Sequence, residues 1–488
     1  MPDDTPSIIL LGLGPGDASL LTRQAWNLLE SLPEIYLRTS QHPAVSQLPS
    51  HLQVHSFDKL YETADSFESV YAQVVEQVLA LGHRPQGVVY AVPGHPFVAE
   101  STCPEIARRA AQDGLRVKVV EGLSFIEPTF TALGLDPLPN TALLDAFALA
   151  SVHMPTFPPD APALIAQIHS AAIASEVKLT LMEVYPDEHP VTLVHAAGLP
   201  GQIVEQLPLY EIDRSPHIGL LTTLYVPPLA AGTSFEAFQD IIAALRAPDG
   251  CPWDREQTHQ TLRKHLLEET YEALEALDAD NPQAMCEEFG DLLLQIVLHA
   301  QIANEYGEFR MADVIQYIHD KIVRRHPHVF SDWQVDGVGR VLQNWEKLKA
   351  EERKANGSPE KGTLDGVSVA LPALTQSQEY QARAARVGFE WPDLQGFLDK
   401  IGEECREFVQ AETAEERTLE IGDVFFTLVN LARRYDIDAE SALRETNARF
   451  RNRFQYIEKA ARLQNRSVSD MTIDEMLALW QEAKKSVH

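Results

Sequence analysis

Glu288-Phe289-Gly290-Asp291-Leu292-Leu293-Leu294 and Glu420-Ile421-Gly422-Asp423-Val424-Phe425-Phe426 are two versions of one stretch. Each carries an acid, a glycine, a second acid three residues after the first, and then an apolar run. Upstream of the first lies Glu268-Glu269-Thr270-Tyr271-Glu272, and upstream of the second Glu403-Glu404-Cys405-Arg406-Glu407. Downstream, Lys321 and Arg325 stand four apart, as do Arg449 and Arg453. Further on, Trp345 and Lys349 stand four apart, as do Trp480 and Lys484. The same features in the same order make an internal repeat. From Thr233 to His488 the apolar residues follow the 3.6-residue period of helices. This half therefore reads as all-α, in two related segments.

Each copy gathers carboxylates. On a helix, Glu268, Glu269 and Glu272 fall within one turn on one side, and Glu288 and Asp291 share a face. Asp280-Asn281-Pro282 predicts a turn between the two helices, because proline suits a first helical position and not an interior one. The same logic joins Glu403, Glu404 and Glu407 to Glu420 and Asp423, with Thr413-Ala414-Glu415-Glu416 read as a capping box. Converging like charges repel unless a cation neutralises them. An all-oxygen set suits Mg²⁺ or Mn²⁺ better than zinc. Gly290 and Gly422 cost about 1 kcal/mol each against alanine inside a helix, which close helix approach or a ligand would explain. For one cluster alone an exposed acidic face is the plainer reading. The repeat, and the apolar neighbours Leu266-Leu267 and Leu292-Leu293-Leu294, count against it.

Lys321, Arg324, Arg325 and Lys349 are candidates to neutralise phosphate charge. Trp345 and Trp480 fit stacking on a base and packing in a core equally well.

Residues 7 to 228 have a different texture. Ile8 to Leu11, Gly87 to Val92, Val117 to Val120, Lys178 to Val184, Val191 to Ala196 and Gly219 to Val226 read as strands alternating with helices. That pattern implies an α/β domain with a largely parallel sheet. Pro227-Pro228-Leu229-Ala230-Ala231-Gly232 reads as a linker, and Ala355 to Gly362 as a second break. The expected domains are 1–228, 233–354 and 363–488.

The formal charge of −31 over 488 residues argues against nucleic-acid polymers as partners, since such surfaces are basic. No run approaches the roughly 20 apolar residues that span a bilayer, and the polar start, Met1 to Ser7, lacks a basic leader. A cytoplasmic protein with no membrane partner is expected. The scattered Cys103, Cys251, Cys286 and Cys405 form no CxxC pair, so neither a zinc knuckle nor a disulfide framework is indicated.

Residues 233 to 488 resemble the MazG family of nucleoside triphosphate pyrophosphohydrolases, whose pattern is E-E-x-x-E followed by E-x-x-D. Gly250-Cys251-Pro252-Trp253-Asp254 and Arg324-Arg325-His326-Pro327-His328-Val329-Phe330 also look like family signatures. The resemblance implies an all-α, usually dimeric, Mg²⁺-dependent enzyme that attacks the α-phosphate of nucleoside triphosphates and releases pyrophosphate. Glu268, Glu269, Glu272, Glu288 and Asp291 would hold metal in the first copy, and Glu403, Glu404, Glu407, Glu420 and Asp423 in the second. Glu268, Glu269, Glu403 and Glu404 are the candidates to activate water. Lys321, Arg325, Trp345 and Lys349, or Arg449, Arg453, Trp480 and Lys484, would hold substrate. The second copy keeps all four of its substrate residues and is favoured as the working one.

Leu11-Gly12-Leu13-Gly14-Pro15-Gly16-Asp17, with Leu20-Leu21-Thr22 after it, lacks the spacing of a dinucleotide fingerprint. It resembles instead the opening of the tetrapyrrole methylase family, and Val92-Pro93-Gly94-His95-Pro96 resembles that family's second loop. Two departures stand out. His95 replaces the usual acid, and Glu121-Gly122-Leu123-Ser124-Phe125 differs from the usual Pro-Gly-x-Ser-Ser. Ala196-Ala197-Gly198 is a candidate later cofactor loop. The resemblance implies an S-adenosylmethionine cleft lined by Gly12, Gly14, Pro93, Gly94 and His95. His95 either alters the substrate, abolishes methyl transfer, or serves as a loop histidine bonded to backbone. The whole chain resembles a YabN-type fusion of a tetrapyrrole methylase-like domain with MazG. The leading function is nucleotide-pool housecleaning by triphosphate hydrolysis. The rivals are a methyltransferase with a regulatory or dimerising MazG half, and a nucleotide sensor.

Overall fold

The computed structural model describes residues 7–63, 66–331, 333, 337, 339–341, 344–345, 348 and 362–486. The chain forms two compact units, Met1–Gln316 and Tyr317–His488. The divide falls inside the helix Met311–Arg325. The expected break at Ala355 to Gly362 lies, but for Gly362, outside the described residues.

The first unit opens with five parallel strands in the order β3-β2-β4-β1-β5. They are β1 (Ile8–Gly12), β2 (Glu34–Leu37), β3 (Gln53–Ser56), β4 (Val88–Val92) and β5 (Val117–Val120). Every residue of β4 is buried, as a strand covered on both faces requires. Side chains alternate across it: Val88, Tyr90 and Val92 join one core cluster, Val89 and Ala91 another.

A second sheet follows, with β6 (Ala142–Asp145), β7 (Ala163–Ala166), β8 (Pro190–His195), β9 (Ile203–Pro208) and β10 (Thr222–Val226) in the order β6-β7-β10-β8-β9. Only β6 and β7 pair in parallel; β10 runs antiparallel to β7 and β8, and β8 to β9. The largely parallel expectation therefore holds for the first sheet and not the second. The connection from His195 to Ile203 is too short for a crossover, and short connections join antiparallel strands.

One expected strand is a helix. Lys178 to Val184 falls at the end of Ala171–Met182, capped by Ser170, whose hydroxyl accepts from Ile173 N. Ala174, Val177 and Leu181 are buried there, spaced at three and four residues along one helical face. A seven-residue window shows too little of that period to separate it from a strand.

Beyond Thr233 the described chain is helical. Phe235–Arg246, His259–Asp278 and Pro282–Glu305 pack around Ile242, Leu262, Val297, Leu298 and Ile302. The second unit holds Ala373–Arg386, Leu394–Gln410, Ala414–Arg434, Ala439–Leu463 and Ile473–Ser486. No helix among the described residues is long and apolar enough to cross a membrane.

The helical reading of Ala171–Met182 makes a prediction. Leu181 is fully buried, whereas Leu179 is 56% exposed; on a strand the two would share a face. Leu181→Ala is expected to cost about 2–5 kcal/mol in chemical denaturation, and Leu179→Ala less than about 0.5 kcal/mol. Equal costs would contradict the helix.

Candidate active site

In the first copy, a tight reversal sets two acidic helices side by side. The helix His259–Asp278 ends, Asp280 turns at φ 48°, and Asn281 caps the next helix by accepting from Gln283 N and Ala284 N, with Pro282 at its first position. Asn281 satisfies two of the unpaired N–H groups that open the helix, where Pro282 has none to satisfy. Across this hairpin Glu269, Glu272 and Glu288 each offer a carboxylate oxygen within 4.8 Å of the others. Burial, then Asp291, Glu272 and Glu268, push the Glu269 carboxyl above its ordinary range. Burial and then Glu272, Glu287 and Asp291 do the same to Glu288. Asp291 thus bears on the cluster from its edge. Glu268 turns outward, 61% exposed, with His265 Nδ1 at 3.5 Å.

The second copy repeats the arrangement. Its hairpin joins Leu394–Gln410 to Ala414–Arg434, and Thr413 and Glu416 form the expected capping box. Glu404, Glu407 and Glu420 again lie within 4.8 Å of one another. Burial, then Glu407, Glu404 and Asp423, raise the Glu420 carboxyl. Glu403 is drawn away to Lys400 Nζ at 3.0 Å. The same Nζ stands 2.7 Å from Glu404 Oε1, and hydrogen bonding to Glu404 first, then to Glu403, raises the Lys400 ammonium above its usual range.

These sets fit a hard divalent cation. Octahedral oxygen ligands about 2.1 Å from Mg²⁺ lie about 3.0 to 4.2 Å from one another, and each set already gathers its three oxygens within 4.8 Å. Flexible glutamates close the remaining gap. Gly290 and Gly422 sit between the two acids of each second helix, and a Cβ on either meets nothing within 4 Å. Close helix approach is therefore not the reason for them.

The basic and aromatic candidates form separate groups. Arg325 lies over the Trp345 ring at 5.9 Å, with His326 beside it at 6.3 Å; Lys321 lies over Tyr317 at 5.5 Å. Lys349 is outside the described residues. In the second copy Arg453 covers Trp480 at 5.8 Å and Phe450 meets it at 5.3 Å. Trp480 packs against the cluster of Ile457, Ala461 and Met471. Arg449 is held by Glu445 at 3.2 Å and Thr446 at 2.7 Å, and Lys484 is exposed. Both tryptophans thus carry a guanidinium on one face. Among the described residues, no hydrogen bond or ion pair joins Arg449, Arg453, Trp480 or Lys484 to Glu404, Glu407 or Glu420.

The α/β part carries a cavity of about 180 Å³, lined in part by Gly14, Pro93, Gly94, Arg38, Gln167 and Thr222. Gly14 and Gly94 exchange two backbone hydrogen bonds. A Cβ on Gly12 would stand 2.6 Å from Gly94 O and Gly122 N, so three loops meet where only glycine fits. His95 is bonded through Nδ1, which accepts from Phe97 N at 3.0 Å. Ala99 and Gln167, both lining the cavity, and nearby Ala196 hold φ of 51°, 67° and 49°. Strain of this kind gathers at ligand sites.

Two residues here lie outside the motifs read from the sequence. Arg38 is paired with the buried Glu100 and bonded to Tyr61 and Tyr71 hydroxyls. Its position just past a parallel strand was the available signal, since ligands in such sheets sit at the carboxyl ends of strands. Lys400, one turn before Glu404, was visible as an i, i+4 pair.

The MazG nucleotide pyrophosphohydrolase domain model matches residues 257–330, and the tetrapyrrole (corrin/porphyrin) methylase model matches residues 7–213. The chain is 42% identical to the uncharacterized protein YabN of Bacillus subtilis over 98% of both chains. It is 40% identical to the nucleoside triphosphate pyrophosphohydrolase/pyrophosphatase MazG of Thermotoga maritima, over 52% of this chain and 97% of that relative. It is 39% identical to the nucleoside triphosphate pyrophosphohydrolase of Escherichia coli K12, over 50% of this chain and 95% of that relative.

A carboxyl whose folded pKa is raised favours folding below its unfolded value and loses that contribution as pH climbs through the folded value. In EDTA, Glu269→Gln should therefore melt higher than wild type at about pH 7 and close to it at about pH 4. A melting difference that does not change between these pH values would contradict the crowding of Glu269.

Proposed function

We propose, because this chain belongs to the YabN family, in which a tetrapyrrole methylase-like domain is joined to MazG, that its helical half hydrolyses nucleoside triphosphates to monophosphate and pyrophosphate. The observation that carries the proposal is the convergence of three carboxylates across a helical hairpin, twice over. We assign Mg²⁺ as the cofactor. When bound, a divalent cation neutralises phosphate charge and lowers the pKa of water.

The chain's own residues then have distinct tasks. Glu269, Glu272 and Glu288, or Glu404, Glu407 and Glu420, hold the cation. Asp291 and Asp423 add negative charge at the edge. One glutamate of each set is the candidate to take a proton from attacking water. Glu268 and Glu403, turned to His265 and Lys400, serve the cluster from outside it. Arg325 and Arg453, with the lysines, are the groups available to a triphosphate. Residues 233–354 and 363–488 are taken as the two catalytic repeats, and 1–228 as the methylase-like domain. Housecleaning of the nucleotide pool in the cytoplasm is the role that fits this chemistry.

Exposed Phe289 and Leu293 on one acidic helix, and exposed Phe425 and Phe426 on the other, support a homodimer, since contiguous exposed apolar surface marks interfaces. Light scattering should return twice the chain mass; a monomer at micromolar concentration would remove this part of the reading. For the α/β half, the glycine-rich, strained cavity supports S-adenosylmethionine binding. Calorimetry with S-adenosylmethionine tests it, and Gly94→Ala, placed at φ 68°, should weaken the affinity.

The central test is pyrophosphate release from a panel of nucleoside triphosphates, with and without Mg²⁺. Glu404→Ala is expected to cut the rate by about 100-fold or more if the second copy does the work, and Glu269→Ala if the first does. Orthophosphate as the product, or a rate indifferent to both changes, would sink the carboxylate mechanism.

A further inference from the structure

The two carboxylate clusters differ in a basic residue one turn before them. Lys400 stands three residues before Glu403, where the first copy has His265 three before Glu268. Lys400 Nζ bridges Glu403 Oε1 at 3.0 Å and Glu404 Oε1 at 2.7 Å. Glu404 is the buried member of its cluster, its side chain 6% exposed. In the first copy His265 is shorter. Its Nδ1 lies 3.5 Å from Glu268, and its ring meets Trp253 edge-on at 6.3 Å. The charged groups bearing on Glu269, the counterpart of Glu404, are the acids Asp291, Glu272 and Glu268.

Resting on the reading of these clusters as cation sites, we propose that Lys400 is a resident counter-ion of the second site that competes with the divalent cation for Glu404. The contact is built into the helix, since residues four apart lie on one face one turn from each other. Glu404 needs such a partner, because a buried carboxylate left alone is costly. Lys400 is able to leave: its side chain is 32% exposed, and its charge rides on a flexible four-carbon stem. An ammonium 2.7 Å from Glu404 and a dication held by the same carboxylate would repel each other at close range. Binding of the cation therefore moves Lys400 off Glu404. The displaced ammonium stays within a side chain's reach of the site, where an anionic substrate meets it. Lys400 is thus a positioning residue, and the first copy has no equivalent of it.

The test is direct binding of Mn²⁺ to the full chain, read as free Mn²⁺ by electron paramagnetic resonance. In wild type, Glu404→Gln should remove one class of site, and Glu269→Gln the other. With Glu269→Gln as background, so that the second site alone remains, Lys400→Met is expected to tighten Mn²⁺ binding about tenfold. Lys400→Arg, which keeps the charge, should leave it near the background value. In EDTA, Lys400→Met should melt lower than its background, and Mn²⁺ should restore it. Lys400→Gln, which keeps a hydrogen bond to Glu404 without the charge, should give the same tightening should the methionine variant not fold. Unchanged or weaker Mn²⁺ binding in the neutral variants overturns the proposal. Persistence of both classes of site in Glu404→Gln fails the cation-site reading itself, and is told apart by that variant alone.

Discussion

Carboxylates repel, and each helical copy holds at least three of them within 4.8 Å of one another across a hairpin. Such a placement survives only where the backbone leaves no alternative and the surroundings compensate. The hairpins provide the first condition. Asn281 and Pro282 start one returning helix, and the Thr413–Glu416 box starts the other. Along the first pair, Leu262, Val297, Leu298 and Ile302 are buried in one hydrophobic cluster. Burying that apolar area offsets repulsion between charges that remain close to solvent. Burial and neighbouring acids both raise the carboxyls of Glu269, Glu288 and Glu420. All three therefore favour positive charge in the space between the helices.

The α/β part works from a different constraint. Its cavity forms where loops from two sheets approach closely, and glycines make that approach possible. Gly12 has neither room for a side chain nor freedom to move away from Gly94 and Gly122. Ala99, Gln167 and Ala196 are held at positive φ nearby, a cost of about 1–3 kcal/mol each that surrounding packing must over-determine. Arg38, tied to Glu100 and two tyrosines, fixes one wall as a rigid polar surface.

Repetition makes the helical half interpretable. Both tryptophans carry an arginine on one face at nearly the same distance, 5.9 Å for Trp345 and 5.8 Å for Trp480. Trp480 is at the same time part of a hydrophobic cluster. Packing and a cation over one face are therefore combined in that ring. Where the copies diverge, at Lys400 against His265, the difference falls on the one buried carboxylate of the second cluster.

Much was legible in the linear order of residues. Acids at i, i+1, i+4 and i, i+3 have one possible relation once a helix forms, because the helical period is invariant. A turn at Asp280-Asn281-Pro282 follows from proline's missing N–H and fixed φ. The repeat, the all-α character of one half and the α/β character of the other are visible for the same reason: they depend on local periodicity. What lay beyond reach depends on contacts between distant segments. The antiparallel order of the second sheet is a matter of which strands pair. The helix at Lys178 is decided by the core that receives Ala174, Val177 and Leu181. The outward turn of Glu268 and Glu403, beside inward Glu269 and Glu404, is set by rotation of each helix about its axis when it packs. Adjacent glutamates are equivalent in sequence, and only packing against a second helix divides them into one that faces the cluster and one that faces away.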